Sequence, residues 1–181
     1  MLGFKPTTCE RCGQSENYLL GLDKGTVKIV LAMLNAISAK GKNEIHPARE
    51  MDCSGNKKWF LTNLSRPRFH GLIAYIDGKP GYYCLTRKAG QFLHGKAIPQ
   101  YAIISKVTGH QEGYFEAERC LVTLRELLKG DVPMWAGEQS RMIDYLDPVA
   151  PDNGQVKLFN FGIKIMPVNK IYGQPSRSFS H

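Results

Sequence analysis

Residues 57 to 96 read KKWFLTNLSRPRFHGLIAYIDGKPGYYCLTRKAGQFLHGK, and the order of elements in this stretch decides the fold. Ser65-Arg66-Pro67-Arg68 has the chemistry of a helix start, with Ser65 as N-cap and Pro67 in the first turn. Phe69, Leu72, Ile73 and Ile76 follow at i, i+3, i+4 and i+7, which predicts a helix running to Ile76. Gly71 counts against it, at a cost of about 1 kcal/mol relative to Ala inside a helix. Asp77-Gly78 and Pro80-Gly81 then predict a hairpin tip. Thr86 is suited to cap a short helix that buries Ala89, Phe92 and Leu93 and stops at Gly95.

Working outward, DKGTVKIVLAMLNAISAKG at 23 to 41 carries apolar residues at Val27, Val30, Leu31, Leu34 and Ile37. That is one buried helix face, with Asp23 as N-cap and Gly41 as stop. Ile29 and Met33 widen it, which predicts a helix central to the core. Pro47 suits the first turn of a short helix reaching about Met51. Trp59 to Leu64 is apolar and reads as strand or helix. Beyond Pro99, Tyr101 to Lys106 reads as a strand, Thr108 to Gly113 as a turn and Tyr114-Phe115 as a second strand. CLVTLRELLKGD at 120 to 131 reads as a strand passing into a helix that stops at Gly130. From Val132 turn residues and Pro are frequent, and Val156 to Ile165 is one further strand candidate.

The stretch 57 to 96 is also where the charge lies. It holds eight basic side chains, Lys57, Lys58, Arg66, Arg68, Lys79, Arg87, Lys88 and Lys96, against one acid, Asp77. The flanking segments are nearly balanced, in a chain of 181 residues with net charge +8. A local surplus of this kind points to a polyanionic partner, although a solvated basic face is the ordinary alternative.

Phe69-His70-Gly71-Leu72-Ile73, a hairpin, and then Tyr83-Cys84-Leu85-Thr86 with Gly90 shortly after resemble a winged helix-turn-helix domain. In many such domains the recognition helix ends in Gly-Leu-Ile and the wing returns through a Tyr-x-Leu-Thr step. The resemblance covers about residues 22 to 96. With the N-terminal Cys-x-x-Cys-Gly and the Ile98-Pro99-Gln100-Tyr101 step, the chain also resembles small proteins encoded by bacteriophages. The expected fold is therefore α+β: a Cys-x-x-Cys knuckle at 1–20, a winged helix at 21–98, a β-rich extension at 99–172 and a disordered tail at 173–181.

The resemblance implies binding to nucleic acid, double-stranded DNA in the first instance, as a phage transcription or replication accessory factor. Arg66 and Arg68 then stand at a helix start, where unpaired N–H groups favour phosphate and where Arg reads guanine. Each such bidentate contact discriminates by about 1–3 kcal/mol. Lys79 at the wing tip, and Lys57, Lys58, Arg87 and Lys88, would meet phosphates. The alternative is a module that docks on a host protein, since winged helices also serve that role. Self-association as a homodimer and a role for the extension in protein contacts belong to the same expectation. Trp59, Tyr75, Tyr82 and Tyr83 suit base stacking, but such rings more often fill a core.

Cys9-Glu10-Arg11-Cys12-Gly13 has the spacing of a zinc knuckle. A second Cys-x-x-Cys is lacking, so His46 and Cys53 are the expected remaining ligands. A knuckle that has lost its metal and a redox pair are the competing readings, while Cys84 and Cys120 lie in apolar runs and read as core thiols. The histidines show no His-Glu-x-x-His spacing, the acids do not cluster, and no phosphate-cradling loop is present. His70 and His94 read as surface or capping residues rather than catalysts, so the expectation is a protein that is not an enzyme. No apolar run is long enough to cross a bilayer and the N-terminus lacks a signal-peptide core, which predicts a cytoplasmic protein of the host cell with no membrane partner.

Overall fold

A computed structural model describes residues 3–51, 55, 57–115 and 120–146. It is a mixed α and β fold, and the long helix α1 (Lys24–Lys40) is its axis. Asp23 accepts the Thr26 N–H at 2.7 Å and caps the start. Gly41, at φ 69°, ends the helix by donating its N–H to the Ile37 carbonyl. Val27, Ile29, Val30, Met33, Leu34 and Ile37 are almost fully buried. A helix apolar over so wide an arc needs neighbours on several sides. It finds them in α4 (Ser65–Phe69), α6 (Leu124–Leu127), α7 (Met134–Arg141) and β3 (Tyr83–Leu85).

Before α1 runs β1 (Asn17–Gly21). After α1, Ile45 bridges to Tyr83, and α2 (Pro47–Glu50) follows with Pro47 in its first turn. Next come α3 (Lys57–Thr62) and, after a one-turn break, α4. The strand β2 (Ile73–Tyr75) pairs antiparallel with β3 in the register Ile73–Leu85, Ala74–Cys84 and Tyr75–Tyr83. The loop between them closes through Ile76 N–H to the Tyr82 carbonyl. Helix α5 (Arg87–Leu93) is capped by the Thr86 hydroxyl and buries Ala89, Phe92 and Leu93. Then β4 (Ile98–Pro99) pairs with β7 (Leu121–Val122). The strands β5 (Tyr101–Ser105) and β6 (Gln111–Tyr114) complete an antiparallel sheet of order β1-β5-β6.

Three expectations are corrected. The helix from Ser65 stops at Phe69, with Leu64 rather than Ser65 in the N-cap position. Gly71 turns left-handed at φ 68°, and the Thr86 hydroxyl holds its carbonyl at 2.6 Å, so Ile73 onward is strand. The described residues from 99 to 146 do not stand apart from those before them. Met1–Ala150 is one compact unit, because β5 pairs with β1 along its whole length, from Asn17–Ser105 to Gly21–Tyr101. The segment after Val132 contains a helix, α7, which packs on α1 and α5 through the small buried residues Ala136 and Ser140. The strand candidate at 156–165 and the tail at 173–181 lie outside the described residues. No helix among the described residues is long and apolar enough to cross a membrane.

Candidate nucleic-acid interface

The seven cations expected to meet phosphate are not equivalent. Lys57 and Lys58 are exposed on the first turn of α3. Beside them Trp59 is 43% exposed. Its ring lies against the start of α1, so close that a Cβ on Gly25 would fall 2.8 Å from the Trp59 ring. The ring's other neighbour is Phe60, edge to face at 5.6 Å. Packing Trp59 onto Gly25 brings α3 to the end of α1 that carries Lys24 and Lys28, both exposed and one turn apart. Sequence reasoning missed these two lysines because they lie outside the basic stretch. Their signal was an i, i+4 pair on the polar side of the α1 stripe.

Arg66 and Arg68 are committed elsewhere. Arg66 Nη2 reaches Asp23 Oδ2 at 2.6 Å and so ties α4 to the α1 cap. Burial alone would raise the Asp23 carboxyl, but the Thr26 hydrogen bonds and the Arg66 charge together hold its pKa below the ordinary value. Arg68 donates to the Tyr75 hydroxyl at 2.8 Å, and its guanidinium lies 5.1 Å from the Tyr75 ring and 5.3 Å from the Phe69 ring. Burial pushes its pKa down. Removing such a side chain costs packing as well as charge.

Lys79 does stand in the hairpin loop, and there it pairs with Glu44. Lys42 holds the same carboxylate at 3.0 Å. The hydrogen bonds from Lys79 and Lys42 hold the Glu44 pKa down to about 2. Arg87 is exposed at the first position of α5. Lys88, next to it, lies 3.5 Å from the centre of the Tyr114 ring.

Between these groups lies His70, fully buried at the C-cap of α4. Neither ring nitrogen has a hydrogen-bond partner of good geometry among the described residues, the Gly21 backbone being the one weak contact. Burial, with the nearby charges of Lys88 and Arg66, pushes its pKa down to about 4, against smaller opposing effects of the Gly21 backbone and Asp23. His70 is thus a neutral core residue at neutral pH.

Cys9 and Cys12 share a tight turn. The Gly13 N–H donates to the Cys9 carbonyl at 2.8 Å, with Gly13 left-handed at φ 67°. The Cys12 and Arg11 backbone N–H groups, with the Cys12 thiol, lower the Cys9 pKa. This favours a thiolate, the form that binds metal. Of the other expected ligands, His46 is not brought to it. His46 stands at the N-cap position of α2 without a side-chain cap bond and packs edge to face on Tyr82 at 5.3 Å, so it belongs to the hairpin. Cys53 lies outside the described residues. Among the described residues no three His, Cys, Asp or Glu side chains gather as metal ligands. Cys84 and Cys120 are buried thiols, as expected.

Compared with known protein families, with curated proteins and with solved structures, the chain matches none.

Proposed function

We propose that the chain binds nucleic acid through the face formed by α3 and the start of α1, acting by binding rather than catalysis. The observation that carries this reading is the exposed Trp59 with Lys57 and Lys58 beside it and Lys24 and Lys28 across the α1–α3 contact. Lysines give affinity for phosphate, and an exposed indole offers a stacking surface. The order α1, Ile45 bridge, α2, α3–α4, β2, loop, β3 also resembles a winged helix, in which α3–α4 would be the recognition helix and 76–82 the wing. That resemblance supports duplex DNA as the first target and a phage accessory factor in transcription or replication as the setting.

The test is a salt series of affinity for duplex and single-stranded oligonucleotides. Lys57→Ala with Lys58→Ala is expected to make the slope of log affinity against log salt shallower by about 1.5–2 for duplex. Trp59→Ala is expected to cost about 1–3 kcal/mol on a single strand if bases stack there. Absence of binding by the wild type at low salt would falsify the proposal.

A second reading, docking on a protein, is favoured by the exposed Met134, Trp135 and Met142 along and just after α7. It predicts that Met134→Lys with Met142→Lys abolishes a partner contact while oligonucleotide binding is unchanged. The zinc expectation keeps Cys9 and Cys12, with Cys53 outside the described residues. Metal content that is unaffected by Cys9→Ser would remove it.

A further inference from the structure

Helices α5, α6 and α7 meet around an open cleft of about 670 Å3. Its polar lining is basic: His94 follows α5, Arg125 belongs to α6 and Arg141 ends α7. No carboxylate lines it among the described residues. Unlike Arg66 and Lys79, neither arginine is in an ion pair among the described residues. Leu93, Leu124 and Val132 supply an apolar floor.

The histidine is held by a hydroxyl relay. The Tyr145 hydroxyl donates to Ser140 Oγ at 2.8 Å, and Ser140 Oγ lies 2.8 Å from His94 Nε2. Ser140 is fully buried, and its hydroxyl meets both the Tyr145 hydroxyl and His94 Nε2, so the ring is anchored through Nε2. Tyr145 is fixed in turn against Gly90, where a Cβ would fall 2.7 Å from the tyrosine ring. A buried serine and a half-buried tyrosine thus set the orientation of an exposed imidazole on the cleft wall.

Two arginines, an oriented imidazole and an aliphatic floor form a receptor for one class of ligand. We propose that this cleft binds a small oxyanion with a short aliphatic body, a phosphate monoester or carboxylate. The lining holds no aromatic ring among the described residues, which disfavours a nucleobase as the body. The cleft is built from other elements than the α3 face, so the proposal does not depend on nucleic-acid binding.

Calorimetric titration of the full chain with inorganic phosphate and with propyl phosphate, at ionic strength matched with chloride, tests it. Both are expected to bind saturably, propyl phosphate the more tightly. Arg125→Gln with Arg141→Gln is expected to weaken both by roughly ten-fold or more, because each charge-assisted hydrogen bond lost is of that order. Its melting temperature in chloride should not change, since both arginines are exposed. Ser140→Ala should weaken binding with the arginines intact, and Ser140→Thr should restore part of it. Wild-type heat no greater than that of chloride, or equal binding by the double variant, overturns the proposal. So does competition by a duplex oligonucleotide that the double variant no longer binds, because the cleft would then belong to the nucleic-acid face.

Discussion

At the scale of single residues, His70 carries the clearest consequence. A fully buried imidazole without a hydrogen-bond partner of good geometry among the described residues is stable only when neutral. Its pKa falls from an ordinary 6.5 to about 4 in the fold. The unfolded chain then binds more protons than the folded one between those two values. Stability is fully present above about pH 6.5, declines as pH falls toward 4, and changes little below that on this account. The whole loss is roughly 3 kcal/mol. Urea denaturation at pH 7 and pH 4.5 should show it, and His70→Leu should remove most of the difference; an unchanged difference would place the acid sensitivity in another group. Asp23 gives the second residue-scale prediction. Asp23→Ala removes the α1 cap and the Arg66 partner together, and should cost about 1–2 kcal/mol. A double-mutant cycle with Arg66→Ala separates the two, and a coupling energy near zero would show the ion pair to be inert. The cap was legible because it is local. Arg66 was misread as a free contact because its carboxylate lies 43 positions away.

At the scale of elements, the informative error is the end of α4. Phe69, Leu72, Ile73 and Ile76 satisfy a helical spacing, yet Leu72 and Ile73 are buried where a turn passes directly into strand β2. A short apolar run does not distinguish these cases by periodicity. Gly71 decides the matter through its backbone. At φ 68° an L side chain is strained, and a Cβ there would also come 2.8 Å from the Tyr114 hydroxyl. Gly71→Ala should therefore destabilise the protein by roughly 1–3 kcal/mol in equilibrium denaturation, whereas a helix-interior glycine would gain stability from the same change. The sign alone distinguishes the two structures. By contrast α1, α5 and α6 were readable, because each pairs an apolar stripe with a cap: Asp23, Thr86, and Thr123 with Glu126 in a capping box. Helix α7 was not, since its buried face is Ala136 and Ser140 and gives almost no hydrophobic signal.

At the scale of the whole molecule, the resemblance to a winged helix drew a boundary at residue 98 that the packing does not have. Strand β1 precedes α1 and, among the described residues, pairs along its length with β5, on the far side of that boundary. Asn43 hydrogen-bonds both polar groups of Leu85 at 2.8 Å and also reaches the Asp144 carbonyl at 3.0 Å. Arg87 N–H donates to the Leu146 carbonyl at 3.1 Å. These are pairings between distant segments, and no local pattern announces them. The same reason kept Lys24 and Lys28 out of the basic face: charges separated in sequence share a surface only after Trp59 is laid on Gly25. The consequence is testable by truncation. A chain ending at residue 98 keeps the α1-to-α5 segment but loses β5, β6, α6 and α7. It strips β1 of its hydrogen bonds and exposes the α1 surface that α6 and α7 cover. Marginal stability of a few kcal/mol does not survive such a loss. That chain should show no cooperative thermal transition, while one ending at residue 150, the limit of the compact unit, should melt cooperatively. A cooperative melt from the shorter chain would mean that the first half folds alone, and that the boundary suggested by the resemblance is real after all.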